Sequence, residues 1–197
     1  MSVLVITTGG TIGAMPFQNP LFPPKFSHVP PDGRDLVREF IESLDVPGMH
    51  CISAEHRDSK LIDMAYRRSL LEVIERSEKT GVLVTHGTDT LLETAAFLNR
   101  YAEATCSPLQ NKLIVLTGAM TPLSNGKESD GFMNLTYALQ ILEKKEVDPG
   151  VYIVLSDYED ESTHSGWRPR LYFNAAKDYE KYYDPQDGRR HRLVLRK

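Results

Sequence analysis

The chain has 197 residues, a formal net charge of -4, and 41% apolar and 25% charged residues. Those values fit one soluble α/β domain with a substantial core, and scattered Lys and Arg argue against a nucleic-acid or anionic-membrane footprint. Two cysteines far apart, Cys51 and Cys106, exclude a disulfide framework and point to a reducing compartment.

Residues 3–8 read as the first strand, a continuous β-branched and aliphatic run. The run is too short for a signal peptide or a membrane span and has no basic flank, which makes the cytoplasm the expected location. A proline-rich segment of weak order follows over 14–31. Helical spacing of apolar residues then predicts helices over 34–44 and 63–78. A strand at 82–85, a helix at 91–101 and a strand at 113–117 come next. The segment 122–128 reads as a loop, 132–145 as a helix and 151–155 as a strand. Beyond Asp157 the chain turns polar and aromatic. Residues 1–188 are expected to form one domain, and 189–197, with Arg189, Arg190, His191, Arg192, Arg196 and Lys197, a solvated basic tail.

Strand and helix alternate, and the strands are apolar without interruption, as in strands buried on both faces. The expected fold is therefore a three-layer α/β structure: a mostly parallel, flavodoxin-like sheet with helices on both faces. Each of the four strands runs into small hydroxylated, glycine-containing or acidic residues. They are Thr7-Thr8-Gly9-Gly10-Thr11, Thr85-His86-Gly87-Thr88-Asp89, Thr117-Gly118-Ala119-Met120-Thr121 and Ser156-Asp157. Ligands of open parallel sheets bind beyond the carboxyl ends of the strands, so these tips predict a small-molecule site.

The first tip is not a dinucleotide loop. Its glycines, Gly9, Gly10 and Gly13, have the wrong spacing, and Pro16, Pro20, Pro23 and Pro24 stand where the phosphate-binding helix would begin. No Gly-Lys-Ser/Thr phosphate loop is present either, so no nucleotide cofactor is expected. What remains is the Thr11 hydroxyl beside two glycines, whose backbone amides can approach a ligand closely, followed by a lid-like loop. Such an arrangement suits a threonine nucleophile in acyl transfer.

In the second tip, Thr90 with Glu93 fits a capping box and starts a helix just after Asp89. Thr88 and Asp89 then sit beside a helix N-terminus. There the carboxylate can grip an ammonium group and the hydroxyl can act as nucleophile or donor; alternatively both residues only shape the turn. A buried lysine could activate a threonine, and spacing does not choose among Lys60, Lys112, Lys127, Lys177 and Lys181. His50, Cys51 and His56 form no complete ligand set, so no metal is expected. His86 is expected to bond locally and hold its strand tip. The aromatic residues Tyr172, Phe173, Tyr179, Tyr182 and Tyr183 read as packing.

Thr8-Gly9-Gly10-Thr11-Ile12-Gly13 together with the stretch from His86-Gly87-Thr88-Asp89 through Thr94-Ala95 resembles the two signature motifs of the bacterial-type L-asparaginase/glutaminase family. Gly118-Ala119-Met120-Thr121-Pro122, Ser129-Asp130-Gly131 and Asn134-Leu135 are similar to a third block of that family. The resemblance implies an amidohydrolase that releases ammonia from asparagine or a related small amide through a threonine acyl-enzyme. By the same resemblance Thr11 is the nucleophile, Thr88 and Asp89 form a second catalytic group, and Lys177 of Asn174-Ala175-Ala176-Lys177 is the partner lysine. Gly10, Asp58, Ser59, Gly87 and Ala119 are the implied substrate-binding positions, and a homo-oligomer, dimer or tetramer, is implied as well.

Three departures stand out. The family's lid supplies a tyrosine near the nucleophile, whereas the first tyrosine here is Tyr66 and the lid carries Phe17, Phe22 and Phe26. Lys60 follows Ser59 where a small or amide residue is usual. The family's second, smaller domain has no counterpart expected in these 197 residues, so the resemblance is to the short single-domain members. A catalytically weak amino-acid or amide-binding module on the same fold is the alternative expectation.

Overall fold

The computed structural model describes residues 2–17, 25–27, 34–158, 167–173, 179–183 and 191–195. Strand β1 (Val3–Thr7) is followed by a short hairpin, β2 (Met15–Phe17) and β3 (Lys25–Ser27), within the expected lid. Helix α1 (Leu36–Ser43), β4 (Met49–Ser53), α2 (Met64–Arg76), β5 (Gly81–Thr85) and α3 (Leu91–Ala102) come next. Then follow β6 (Leu113–Thr117), α4 (Asp130–Lys144), β7 (Gly150–Tyr158), β8 (Trp167–Phe173), β9 (Tyr179–Tyr183) and β10 (His191–Leu195). The main sheet runs β4-β1-β5-β6-β7-β8, parallel except for the antiparallel β7–β8 pair. This is the mostly parallel three-layer α/β fold expected from the alternation.

Period-two geometry explains the uninterrupted apolar runs. Leu4, Ile6, Val82, Val84, Ile114 and Leu116 face one side, where α2 (Leu70, Leu71, Ile74) and α3 (Leu91, Leu98) cover them. Val3, Val5, Leu83, Leu113 and Val115 face the other, under α1 (Val37, Ile41) and α4 (Leu135, Leu139, Leu142). Successive residues of a strand point to opposite faces, so a strand covered on both sides must be apolar at every position. Fully burying one such Leu or Ile contributes about 1.5–3 kcal/mol. Helix starts are fixed locally: Asp35, Asp63 and Ser129 accept from the backbone N–H of Arg38, Tyr66 and Phe132.

Three features depart from the sequence reading. Strand β4 carries Met49, Cys51 and Ile52 only half-buried at the sheet edge, which explains why its pattern lacks a continuous apolar run. Strand β7 continues through Ser156 and Asp157 to Tyr158, because β8 pairs along its whole length; Ser156 is therefore inside a strand and not at a tip. Residues 191–195, read as part of a tail, pair with β9 as an antiparallel hairpin. Among the aromatic residues there, Tyr172 is buried and Phe173 stacks on Tyr152 at 4.9 Å between ring centroids. Among the described residues, no helix is long and apolar enough to cross a membrane and no cluster could hold a metal ion.

Candidate active site

Beyond the carboxyl ends of β1, β5 and β6, backbone meets backbone. Gly10 ends the β1 turn at φ +85°, and a Cβ there would lie 2.6 Å from both Cα and N of Gly87. Gly87 in turn backs onto Ser59, whose Oγ would lie 2.5 Å from an added Cβ. A Cβ on Gly118 would meet His86 O at 2.6 Å and Thr88 Cγ2 at 3.0 Å. Only hydrogen at these three positions lets the tips approach so closely. The β1, β5 and β6 tips and the turn carrying Ser59 therefore form one continuous floor.

Each expected site residue among the described ones lies on that floor or its rim. Thr11 opens a single 3-10 turn, Thr11–Gly13, directly after Gly10 and is half-buried. Thr88, Asp89 and Thr90 form a second such turn leading into α3. Ser59 is buried and its Oγ lies 3.5 Å from Asp89 Oδ2. Asp58 accepts from the N–H of Lys60 and caps its own turn, so its carboxylate shapes the segment that presents Ser59. Ala119 is buried beside Gly131. Lys177 and Phe22 lie outside the described residues, and Phe17 and Phe26 belong to the β2–β3 hairpin.

The capping box is a correction. Thr90 makes no side-chain cap; its hydroxyl donates to Ser59 O at 2.7 Å. Thr90 thus ties the Thr88 turn to the Ser59 segment, a long-range bond that outcompetes the local cap. The lysine set narrows too. Lys112 lies at the opposite end of the sheet, where Nζ donates to Ser77 O and Lys79 O at 2.6 and 2.9 Å and burial lowers its pKa. Tyr66 does not stand in for a lid tyrosine. It is buried behind the glycine turn, its hydroxyl donates to Glu55 O at 2.7 Å, and burial pushes its pKa up to about 12. An open cleft of about 380 Å3 beside it, lined by Ile52, Ser53, Ala54, Arg57, Leu70 and Val73, lies between the end of β4 and α2, and none of Gly10, Thr11, Ser59, Gly87, Thr88 or Asp89 lines it.

Polar networks built partly on the third block of the resemblance hold the floor from behind. Asp130 begins α4 and is buried; its carboxylate accepts from the N–H of Met120 (2.8 Å) and Thr121 (2.7 Å) and from Thr121 Oγ1 (2.6 Å). Burial raises its pKa, and these hydrogen bonds oppose the rise. One turn on, Asn134 Nδ2 donates to Gly118 O at 2.9 Å, while Ser156 Oγ donates to Asn134 Oδ1 at 2.6 Å. Asp130 and Asn134 are polar residues on the same buried face of α4 as Leu135 and Ala138, a signal legible as a polar break in an apolar stripe. His86 holds its strand tip as expected, with Nδ1 2.7 Å from Gly87 O.

A second network surrounds Asp35, at the point where the lid segment enters α1. Asp35 Oδ2 accepts from Thr7 Oγ1, from Ser53 Oγ at 2.6 Å and from His56 Nε2 at 3.2 Å, and Oδ1 caps α1. Burial pushes the Asp35 pKa up, but the bonds from His56, Ser53, Thr7 and Arg38 N–H together outweigh it and hold the carboxyl well below the usual carboxylate range. A depressed folded pKa means the native state binds fewer protons than the unfolded chain, so this stabilisation is complete above about pH 5 and is lost as pH falls through the acid range. Asp35→Asn is expected to cost about 2–3 kcal/mol at about pH 7, with the gap to the parent protein shrinking below about pH 4. Urea unfolding across the acid-to-neutral range measures it; a pH-independent gap would remove the carboxylate's role.

With the geometry in view, the comparisons with known proteins are specific. A family described as "Asparaginase, N-terminal" matches residues 2–176. A glutaminase-asparaginase of Acinetobacter glutaminasificans is 30% identical over 164 residues, which are 79% of this chain and 46% of that protein. One component of the glutamyl-tRNA(Gln) amidotransferase of Methanococcus vannielii is 27% identical over 90% of this chain and 40% of that protein. The structure of a probable cytoplasmic L-asparaginase from Campylobacter jejuni superposes with a TM-score of 0.62 at 24% identity, over 91% of this chain and 48% of that one, a likeness of fold. The chain thus spans less than half the length of these relatives.

Proposed function

Given that this chain belongs to the asparaginase family, we propose that it hydrolyses the side-chain amide of L-asparagine or a related small amide through a Thr11 acyl-enzyme. Thr11 Oγ adds to the amide carbon, a neighbouring base takes the hydroxyl proton, and that proton leaves with the nitrogen as ammonia. Water then cleaves the ester and restores the Thr11 hydroxyl. Thr88 and Lys177 are the proposed proton carriers. Asp89 and Ser59, side by side at 3.5 Å, are the proposed grip on the substrate's ammonium and carboxylate. Gly10, Gly87 and Ala119 offer main-chain groups to the amide, and Asp58 holds the Ser59 turn.

The observation that carries this reading is the packing of Gly10 on Gly87, which brings the Thr11 turn and the Thr88-Asp89 turn to one floor. Leu61 and Met64, 68% and 49% exposed beside the Ser59 turn, are apolar side chains suited to a covering partner. A homo-oligomer, dimer or tetramer, is part of the proposal. The relatives' names cover both a glutaminase-asparaginase and a glutamyl-tRNA(Gln) amidotransferase, so the substrate is left as the amide class.

The test is ammonia release from asparagine, glutamine and small primary amides, alongside calorimetric titration with aspartate. Turnover of at least one amide supports the hydrolase. Saturable aspartate binding with no turnover of any amide overturns it in favour of an amino-acid-binding module.

A further inference from the structure

Neither Arg67 nor Thr94 has a part in the chemistry above, yet a chain of hydrogen bonds runs from them into the floor. Arg67, in the first turns of α2, donates from Nε to Thr94 Oγ1 at 3.1 Å. Thr94, fully buried in α3, has that Oγ1 3.0 Å from His86 Nε2. His86, also fully buried, has Nδ1 2.7 Å from Gly87 O.

The polarity of the chain follows from its two ends. A carbonyl oxygen only accepts, so His86 Nδ1 carries a proton. A guanidinium only donates, so Thr94 Oγ1 accepts from Arg67 and has its own proton free to give. Neutral imidazole protonated at Nδ1 presents Nε2 as the acceptor for that proton. Every group in the series is then satisfied. The reverse arrangement, with Nε2 protonated as well, leaves the buried Thr94 hydroxyl proton without this acceptor and sets a second cation close to the guanidinium.

We propose that Arg67, acting through Thr94, fixes the tautomer and tilt of His86 and thereby positions the Gly87–Thr88 peptide. Arg67 and Thr94 are positioning residues for the Thr88-Asp89 turn; the catalytic part of the proposal rests on the functional reading given above. The placement supports it. Gly87 is wedged between Gly10 and Ser59, and Gly118 presses on His86 O, so a small rotation of the His86–Gly87 unit reaches every tip of the floor. Thr94 falls within the buried stripe Leu91, Ala95 and Leu98, where an apolar residue would serve packing alone. Its hydroxyl is used for the relay.

The experiment compares the parent protein with Thr94→Val, Thr94→Ser, Arg67→Met and Arg67→Lys. Two quantities are read: the His86 ring-nitrogen shifts of 15N-histidine-labelled protein, and kcat and KM for ammonia release. The parent and Thr94→Ser are expected to show the Nδ1–H tautomer. Thr94→Val and Arg67→Met shift that tautomer balance and lower kcat about tenfold, with a smaller change in KM; Thr94→Ser stays within about twofold. Arg67→Lys, which keeps the charge but loses the planar Nε donor, is expected to resemble Arg67→Met.

An unchanged His86 tautomer in both Thr94→Val and Arg67→Met overturns the relay. A shifted tautomer with unchanged kcat overturns its positioning role. A fall in melting temperature with neither change leaves only packing and also overturns it. If Thr94→Val does not fold, Arg67→Met at its half-buried position supplies the same comparison. Because the ring shifts are read without substrate, an inactive parent protein sinks the hydrolase reading while the tautomer measurement still decides the relay.

Discussion

Thr11→Ala is expected to lower ammonia release by at least about 10³–10⁴-fold while leaving aspartate binding and the melting temperature close to those of the parent protein. Removing Oγ removes the atom to which the acyl group must attach, so no rearrangement of water or neighbours restores the covalent route. The side chain is half-buried and belongs to neither core cluster, and the turn it opens is held by backbone bonds, Ala14 N–H to Thr11 O at 3.0 Å and Gly13 N–H to Gly10 O at 3.3 Å. Alanine leaves those bonds in place. Thr11→Ser keeps the nucleophilic oxygen and is expected to retain measurable turnover. Steady-state kinetics with each variant decide the matter: a Thr11→Ala protein within tenfold of the parent would move the nucleophile elsewhere, with Thr88 the next hydroxyl on the floor.

Gly10→Ala is expected to be the most damaging single methyl in the site. Two costs add. Gly10 sits at φ +85°, a conformation that strains any L side chain by about 1–3 kcal/mol. Its new Cβ would also lie 2.6 Å from Gly87 Cα and N and 3.0 Å from His86 C, all backbone atoms that cannot rotate away. Gly87 cannot retreat either, because Ser59 stands behind it. Overpacking of this kind adds about 1–3 kcal/mol, for a total of about 2–6 kcal/mol, and the displaced tips abolish aspartate binding. Gly13→Ala is the internal control. A Cβ there meets only Val37 Cγ2 at 3.5 Å, an ordinary contact, so the change is expected to stay within about 0.5 kcal/mol. Urea midpoints for the two variants, measured side by side, test the difference; equal stability would refute the close approach of the β1 and β5 tips.

The contrast between Gly10 and Gly13 marks how far the sequence could be read. Both are glycines of one short motif, and residue spacing gives them similar weight. Only the register of β1 beside β5, Thr7 opposite Thr85, sets Gly10 against Gly87 and leaves Gly13 in open packing. The same limit applies to Thr90. Its spacing to Glu93 matches a capping box, yet Ser59 O, 31 residues earlier in the chain, takes its proton instead. A local pattern can be scored from local partners alone, and here the competing partner was remote.

Buried polar residues were the other blind spot. Asp35 and Arg67 look like ordinary helix residues, and Thr94 and Asp130 like motif positions without a stated role, until the elements they face are known. Each meets groups from two or more elements: Asp35 joins the β1 and β4 ends to α1, Arg67 joins α2 to α3, and Asp130 joins α4 to the loop after β6. Edge strand β4 escaped for a related reason. A strand buried on both faces announces itself by continuous hydrophobicity, and an edge strand does not.

What the sequence determined by itself was the four central strands, the helices that cover them, and the hydroxyl- and glycine-bearing tips of three of them, β1, β5 and β6. Those features are written in periodicity and local turn chemistry, which act over a few residues and need no partner. The tertiary structure decided which glycines must be glycines, which hydroxyl caps and which one bridges, and which buried charges hold the floor in place. These choices depend on groups brought together across tens of residues, and only the packed sheet fixes which atoms lie within hydrogen-bond or van der Waals reach.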